Sequence, residues 1–333
     1  MGQYWKLVNI DKRKVLAHDS GLKLLEILWD RALEPLVGLL RRPQWVPYFA
    51  PSYAIQSCKL KSLPDPIASL ESPLVALPQE LIDHIISLLV EDEGAGSGDL
   101  ICLSLTCSYF FRLLGSRVQT LLAEDEAPWA GDRLIFVGDY ANGIPEGVVT
   151  ETERTQLLAE GRNPLYYSIE QDFAEKGATF ERSRYDSGEV ESSGNLFSRV
   201  QKRIGSTSEY KKAINLITEV LQQMPTDASG HPRKQAVLLR NLTTKEFVLD
   251  DTIAQGSLKY SLGEVLGTFT IWTEDASGTD SLEPPGRWAG HRFDIGCLED
   301  VAEEGWKDVS YEAVQNLNAA GLAGYGVARR AWE

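Results

Sequence analysis

Between Leu77 and Leu89 the chain reads LPQELIDHIISLL, and its polar positions Glu80, Asp83, His84 and Ser87 recur at i, i+3, i+4 and i+7. That spacing predicts a helix with one narrow polar stripe, and Pro78 suits its first turn. Leu81, Ile82, Ile85, Ile86, Leu88 and Leu89 fill the rest of the circumference. A second helix is predicted after Asp99, which can cap it, where Leu100, Ile101, Leu103, Leu105, Tyr109, Phe110, Phe111, Leu113 and Leu114 crowd into fifteen residues. A large apolar side chain moved from water to a packed interior contributes about 1.5–3 kcal/mol. Three or four left exposed would therefore forgo more than about 5 kcal/mol, comparable with the stability of a whole domain. Two short helices cannot cover that surface, so the surplus predicts a protein partner.

Elsewhere the period changes from helical to alternating. KLVNIDKRKVL at 6–16 and LLRNLTTKEFV at 238–248 each run from an apolar strand through a polar turn into β-branched or aromatic residues, which predicts two hairpins. Laid on one another, they match Asn9 with Asn241, Ile10 with Leu242 and Arg13 with Lys245. Downstream of each comes Trp-Ala-Gly-x-Arg, at 129–133 and 288–292, opening a strand (LIFV in one case, the alternating Phe293, Ile295 and Cys297 in the other). A helical element after each is predicted more weakly, from the capping-box pattern at Ser168–Gln171 and the early acid Glu312 after Ser310. The pattern predicts an α+β fold built from an internally duplicated unit, paired about a pseudo-twofold axis.

Asn241 and Trp288 lie 47 positions apart, whereas Asn9 and Trp129 lie 120 apart, so the first copy holds about 73 residues that the second lacks. The expected organisation is a first copy at 1–72 and 116–171, a small all-helical insert at 73–115, a connector with a supporting helix at 172–230, and a second copy at 231–333. Proline-rich sequence ahead of the insert suits a semi-rigid tether. The polar, Ser/Gly-rich stretch from 172 to 208 is expected to be mobile. The amphipathic run from Tyr210 to Met224, stopped by Pro225, is expected to support the join between the copies.

Composition narrows the function classes. The chain has 333 residues, 43% apolar and 24% charged, a globular balance. Its net charge of −15 repels phosphate backbones, and its basic residues are dispersed, so nucleic acid is not expected as a partner. No apolar run reaches membrane-spanning length and the start lacks a secretory core, so neither membrane nor secretion is expected, and the location is expected to be cytoplasmic or nuclear. Lys6 stands where a myristoylation signal wants Ser or Thr. Cys58, Cys102, Cys107 and Cys297 lack metal or disulfide spacing, and His18, His84 and His231 are scattered, so no metal and no cofactor is expected. The glycines at 94–98 follow a helix instead of a strand and read as a flexible connector, and those at 321–326 as a helix stop or loop.

At the two predicted helices the sequence resembles the F-box family. Leu77-Pro78-x-Glu80-Leu81-Ile82-x-x-Ile85-x-x-x-Leu89 is similar to its opening helix, and Asp99-Leu100-x-x-Leu103-Ser104-Leu105-x-Cys107-x-x-Phe110 to its later part. The likeness covers about 40 residues. It implies a helical module that docks on the adaptor Skp1 and recruits an unidentified protein substrate to a cullin-based ubiquitin ligase, the chain itself not being an enzyme. Leu77, Pro78, Leu81, Ile82, Ile85 and Leu105 would form the adaptor-facing surface, with Cys107 and Phe110 packed beside it. The flanking words GQYWKLVN and WAGDR resemble uncharacterised fungal F-box proteins, which brings no activity. The alternative is an enzyme or small-ligand binder with a pocket around Trp129, Asp132, Arg133, Trp288, His291 and Arg292, where arginine would hold an anion and Asp132 or His291 act as acid or base. No nucleophile elbow, Walker loop or HExxH accompanies either copy. A packing role for the Trp and Arg pairs is favoured over a ligand site.

Overall fold

The computed structural model describes residues 3–16, 23–29, 33–48, 73–91, 96–159, 165–166, 196–205, 207–226, 235–255, 260–275, 282 and 284–320. The fold is α+β and divides into two compact units, one of residues 1–42, 127–190 and 235–333, the other of 43–126 and 191–234. The capping box expected at 168–171, the glycines at 321–326, His18, His231 and Cys58 lie outside the described residues.

In the first unit both expected hairpins form. Strand β1 (Trp5–Asn9) pairs antiparallel with β2 (Lys14–Val15), and β4 (Val237–Asn241) with β5 (Glu246–Leu249). Each turn places a basic residue at positive φ, Arg13 at 51° and Lys245 at 55°. The two asparagines hold the turns alike, since Oδ1 of Asn9 accepts from the Lys12 amide and Oδ1 of Asn241 from the amides of Thr243 and Thr244. This is the side-chain-to-backbone bonding that makes Asn a turn residue. Strand β3 (Leu134–Gly138) lies antiparallel to β1 with Leu134 opposite Asn9, and β7 (Phe293–Cys297) lies antiparallel to β4 with Phe293 opposite Asn241.

The helices join the two sheets. Helix α1 (Leu24–Trp29) precedes α2 (Glu34–Leu40), and Arg41, just past its end, bridges in parallel to Ile295 of β7. In the second half α9 (Asp250–Ala254) precedes α10 (Leu262–Phe269), whose exit strand β6 (Ile271–Trp272) runs parallel to Phe136 of β3. Each half thus hands the residues after its helix to the other half's sheet. Between the sheets lies one core containing Trp5, Leu7, Leu36, Phe136, Leu266, Phe269, Trp288 and Ile295. Strand β8 (Lys307–Asp308) extends the second sheet beside β5, and α11 (Ser310–Ala319) closes over that core with Ala313 and Leu317.

At one cross-strand position the halves differ in chemistry. Val8 faces Ile135 in the first sheet, under a cover that includes Leu157 of α6 (Glu151–Ala159). The same register in the second sheet holds Arg240 and Asp294, joined by two hydrogen bonds of 2.7 and 2.8 Å, with Arg42 on the same carboxylate at 2.8 Å.

The second unit is helical: α3 (Gln79–Glu91), α4 (Gly96–Ser104), α5 (Ser108–Glu126), α7 (Leu196–Ile204) and α8 (Thr207–Leu221). The expected boundary at 115 falls inside α5, which runs on to Glu126. The segment expected as a mobile connector supplies α7, and the helix expected to support the join supplies α8. Both belong to this unit's core, where Leu196, Val200, Ile217, Val220 and Leu221 pack in one cluster with Leu100, Ile101, Phe111 and Leu114. The surplus predicted on the second helix is therefore largely covered from within the chain, by helices about 100 positions away that no local pattern could connect to it. The glycines at 96–98, expected as connector, form the first turn of α4. A Cβ at Gly98 would lie 3.1 Å from that of Arg199, so glycine here admits α7 at close range.

Candidate functional sites: the α3 face and the WAGxR joint

Helix α3 buries one side and leaves another open. Ile82 is 2% exposed, while Leu81 and Leu88, seven positions apart on one face, are 49% and 53% exposed with half-buried Ile85 beside them. Ahead of the helix, Pro78 is exposed and Leu77 half-buried. Leu105 is half-buried, and Leu113 of α5 is exposed. Ile82, expected on the adaptor-facing surface, points inward, and Cys107 and Phe110, expected to pack beside that surface, also belong to the unit's core. The helical period explains this, because Ile82 lies about 100° around the axis from Leu81. Tyr109 fixes the start of α3 by donating from its hydroxyl to Gln79 Oε1 at 3.0 Å, and its ring meets Phe110 edge-on. Covering the exposed halves of Leu81 and Leu88 would recover roughly 2 kcal/mol.

The two WAGxR pentapeptides sit together in the first unit. Each Trp is anchored by its amide at the end of a helix, Trp129 to the Leu39 carbonyl and Trp288 to that of Phe269. Each Gly lies at positive φ, 90° for Gly131 and 75° for Gly290, where a side chain would be strained. The loops then exchange backbone bonds: Gly131 donates to the Phe293 carbonyl and Gly290 to that of Leu134, while Leu134 donates to His291 and Phe293 to Asp132. Arg133 and Arg292 face each other across an antiparallel bridge. Trp129 and Trp288 are buried, and the Trp288 indole N–H donates to Glu246 Oε2 at 2.7 Å.

The structure brings all six suggested pocket residues into one joint, and each has an intramolecular role. Every N–H of the Arg133 guanidinium is engaged by Asp11 Oδ1, the Val148 carbonyl, or the two oxygens of Glu153. The Glu153 hydrogen bond raises the arginine's pKa further above its ordinary value against the effect of burial. In return Arg133 pushes Glu153 down to about 2, helped by the Thr150 amide. Burial alone would raise Asp11, but hydrogen bonds from Arg133 and the charges of Arg133 and Arg292 outweigh it and hold the carboxyl below its usual range. Arg292 reaches Asp11 Oδ2 and the Gly131 carbonyl, both at 2.9 Å. Asp132 accepts from Asn9 and Lys12 at 2.7 Å each. His291 Nδ1 lies 2.8 Å from Asn241 Nδ2. Asp132 and His291 therefore share one task, receiving a hydrogen bond from a hairpin asparagine.

The partners Asp11 and Glu153 carried no signal in the sequence, standing 122 and 20 positions from Arg133. Asn9 and Asn241 could have been found, since they match in the hairpin alignment. Among the described residues no group of three or more His, Cys, Asp or Glu is placed to hold a metal ion, and no helix is long and apolar enough to cross a membrane. In comparisons with known proteins, no family model, no curated protein and no solved structure matches the chain.

Proposed function

We propose that the chain is an F-box-type substrate receptor. In this reading the helical unit docks through the Leu77–Leu89 segment on a Skp1-like adaptor of a cullin-based ubiquitin ligase, and the two-sheet unit holds an unidentified protein substrate. The chain works in the cytoplasm or nucleus and is not itself an enzyme, because the transfer chemistry belongs to its partners. The observation that carries the reading is the open apolar face of α3. Leu81 and Leu88 remain half in water although α7 and α8 close the rest of that unit's core. A stable monomer has no reason to align two leucines seven apart with Pro78 and Leu77 at the same helix start, whereas an adaptor contact does. The WAGxR joint supports a packing role over a ligand pocket, since Arg133 has no N–H left for an anion. The duplication itself belongs to this proposal, and it is supported by the matching hairpin and strand registers of the two halves.

The test is co-expression with a Skp1-like adaptor. Leu81→Asp with Leu88→Asp should abolish the complex while thermal stability stays within about 1 kcal/mol of the parent, as exposed positions allow. Ile82→Ala should instead destabilise the helical unit by about 2–4 kcal/mol, marking the buried side. Retention of the complex by the double variant rejects the reading.

A further inference from the structure

Of the two residues that receive the hairpin asparagines, only His291 can change charge near neutral pH. Its partner cannot adapt. Asn241 Oδ1 already accepts the amides of Thr243 and Thr244 at 3.0 and 3.2 Å, which fixes the side-chain amide and leaves Nδ2 as the donor facing His291 Nδ1 at 2.8 Å. A proton on Nδ1 would set N–H against N–H. The backbone on either side of the imidazole is the joint itself, since the His291 carbonyl accepts from Leu134, Gly290 donates to Leu134 and Arg292 bridges to Arg133.

We propose that His291 is a pH sensor built into the joint: neutral, it locks the paired WAGxR loops, and protonated on Nδ1 it breaks its bond to Asn241 and loosens them. The surrounding charges favour the neutral form. Glu246 on β5 would welcome an imidazolium, but its carboxylate is taken by the Trp288 indole, the Thr244 hydroxyl and Arg287. Arg287 repels added positive charge from the same loop, and Arg292 follows in sequence. Across the joint, Asp11 is committed to Arg133 and Arg292, and Asp132 to Asn9 and Lys12. Burial lowers the His291 pKa, Glu246 opposes that and Arg287 adds to it. A histidine lowered on folding leaves stability intact above its unfolded value of about 6.5 and removes it progressively as pH falls through and below that value.

Hydrogen exchange of the full-length chain, corrected for the intrinsic effect of pH, tests the proposal. Between pH 7.5 and 5.5 peptides covering 129–138 and 288–297 should lose protection in the parent and in His84→Asn, whose histidine is exposed on α3. His291→Asn, which keeps an acceptor at the Nδ1 position but cannot titrate, should hold its protection. An equal loss in parent and His291→Asn overturns the idea. If that variant does not fold, nitrogen NMR of labelled histidine in the parent decides: an unprotonated Nδ1 at pH 7.5 that titrates below the ordinary histidine value is expected, and a protonated Nδ1 or an ordinary titration overturns it.

Discussion

Arg133 and Arg292 come from the same pentapeptide, yet their surroundings assign them different weights. The Arg133 side chain is 15% exposed and bound on all sides, whereas Arg292 is 47% exposed and shares Asp11. Arg133→Ala removes the main partner of Asp11 and Glu153 and leaves the Val148 carbonyl without its donor, and chemical denaturation should show a loss of about 1–3 kcal/mol. Arg292→Ala should cost under about 1 kcal/mol, as exposed pairs do. Equal effects would contradict this structure. Glu153 also predicts an acid response. Its folded pKa of about 2 lies below the ordinary 4.5, so its contribution is present above the unfolded value and is lost as pH falls from about 4.5 toward 2. A melting-temperature series from pH 5 to 2 should be flatter in Glu153→Gln than in the parent.

Strands β4 and β7 offer a comparison the molecule makes with itself. Where the first sheet has Val8 and Ile135, the second has a buried, bidentate Arg240–Asp294 pair. A buried ion pair contributes little net stability, but breaking one strands a charge. Asp294→Ile alone should therefore cost at least about 3 kcal/mol in denaturant melts. Arg240→Val with Asp294→Ile, borrowing the residues of the other half, should recover most of that loss, and Arg42, half exposed, can return to water. Failure of the double variant to recover would mean that the pair's geometry, and not its neutrality, holds the second sheet.

For the whole molecule, the helical unit of 43–126 and 191–234 differs in extent from the 73–115 segment expected from the sequence. Deleting 73–115 would cut α5 in its middle and leave Leu196, Val200, Ile217 and Val220 facing water, so the product should aggregate. Replacing 43–126 and 191–234 with short Gly/Ser linkers removes the helical unit whole, and the two-sheet unit should keep a cooperative melt with a near-ultraviolet aromatic signal. If both deletion variants collapse, the two units fold as one.

Local periodicity and turn chemistry were sufficient for the hairpins and for the helices at 79–91 and 207–221, because those signals act within a few residues, whereas the one helix expected from Asp99 to Leu114 is broken at Leu105–Cys107 into α4 and α5. Tertiary structure alone decided that α7 packs on α4 and α8 on α5, that each half's helix feeds the other's sheet, and that Asp11 and Glu153 consume the donors of Arg133. These depend on which surfaces meet after the chain doubles back over many tens of residues. Burial and hydrogen-bond satisfaction select such pairings for the molecule as a whole, and no single stretch of sequence contains them.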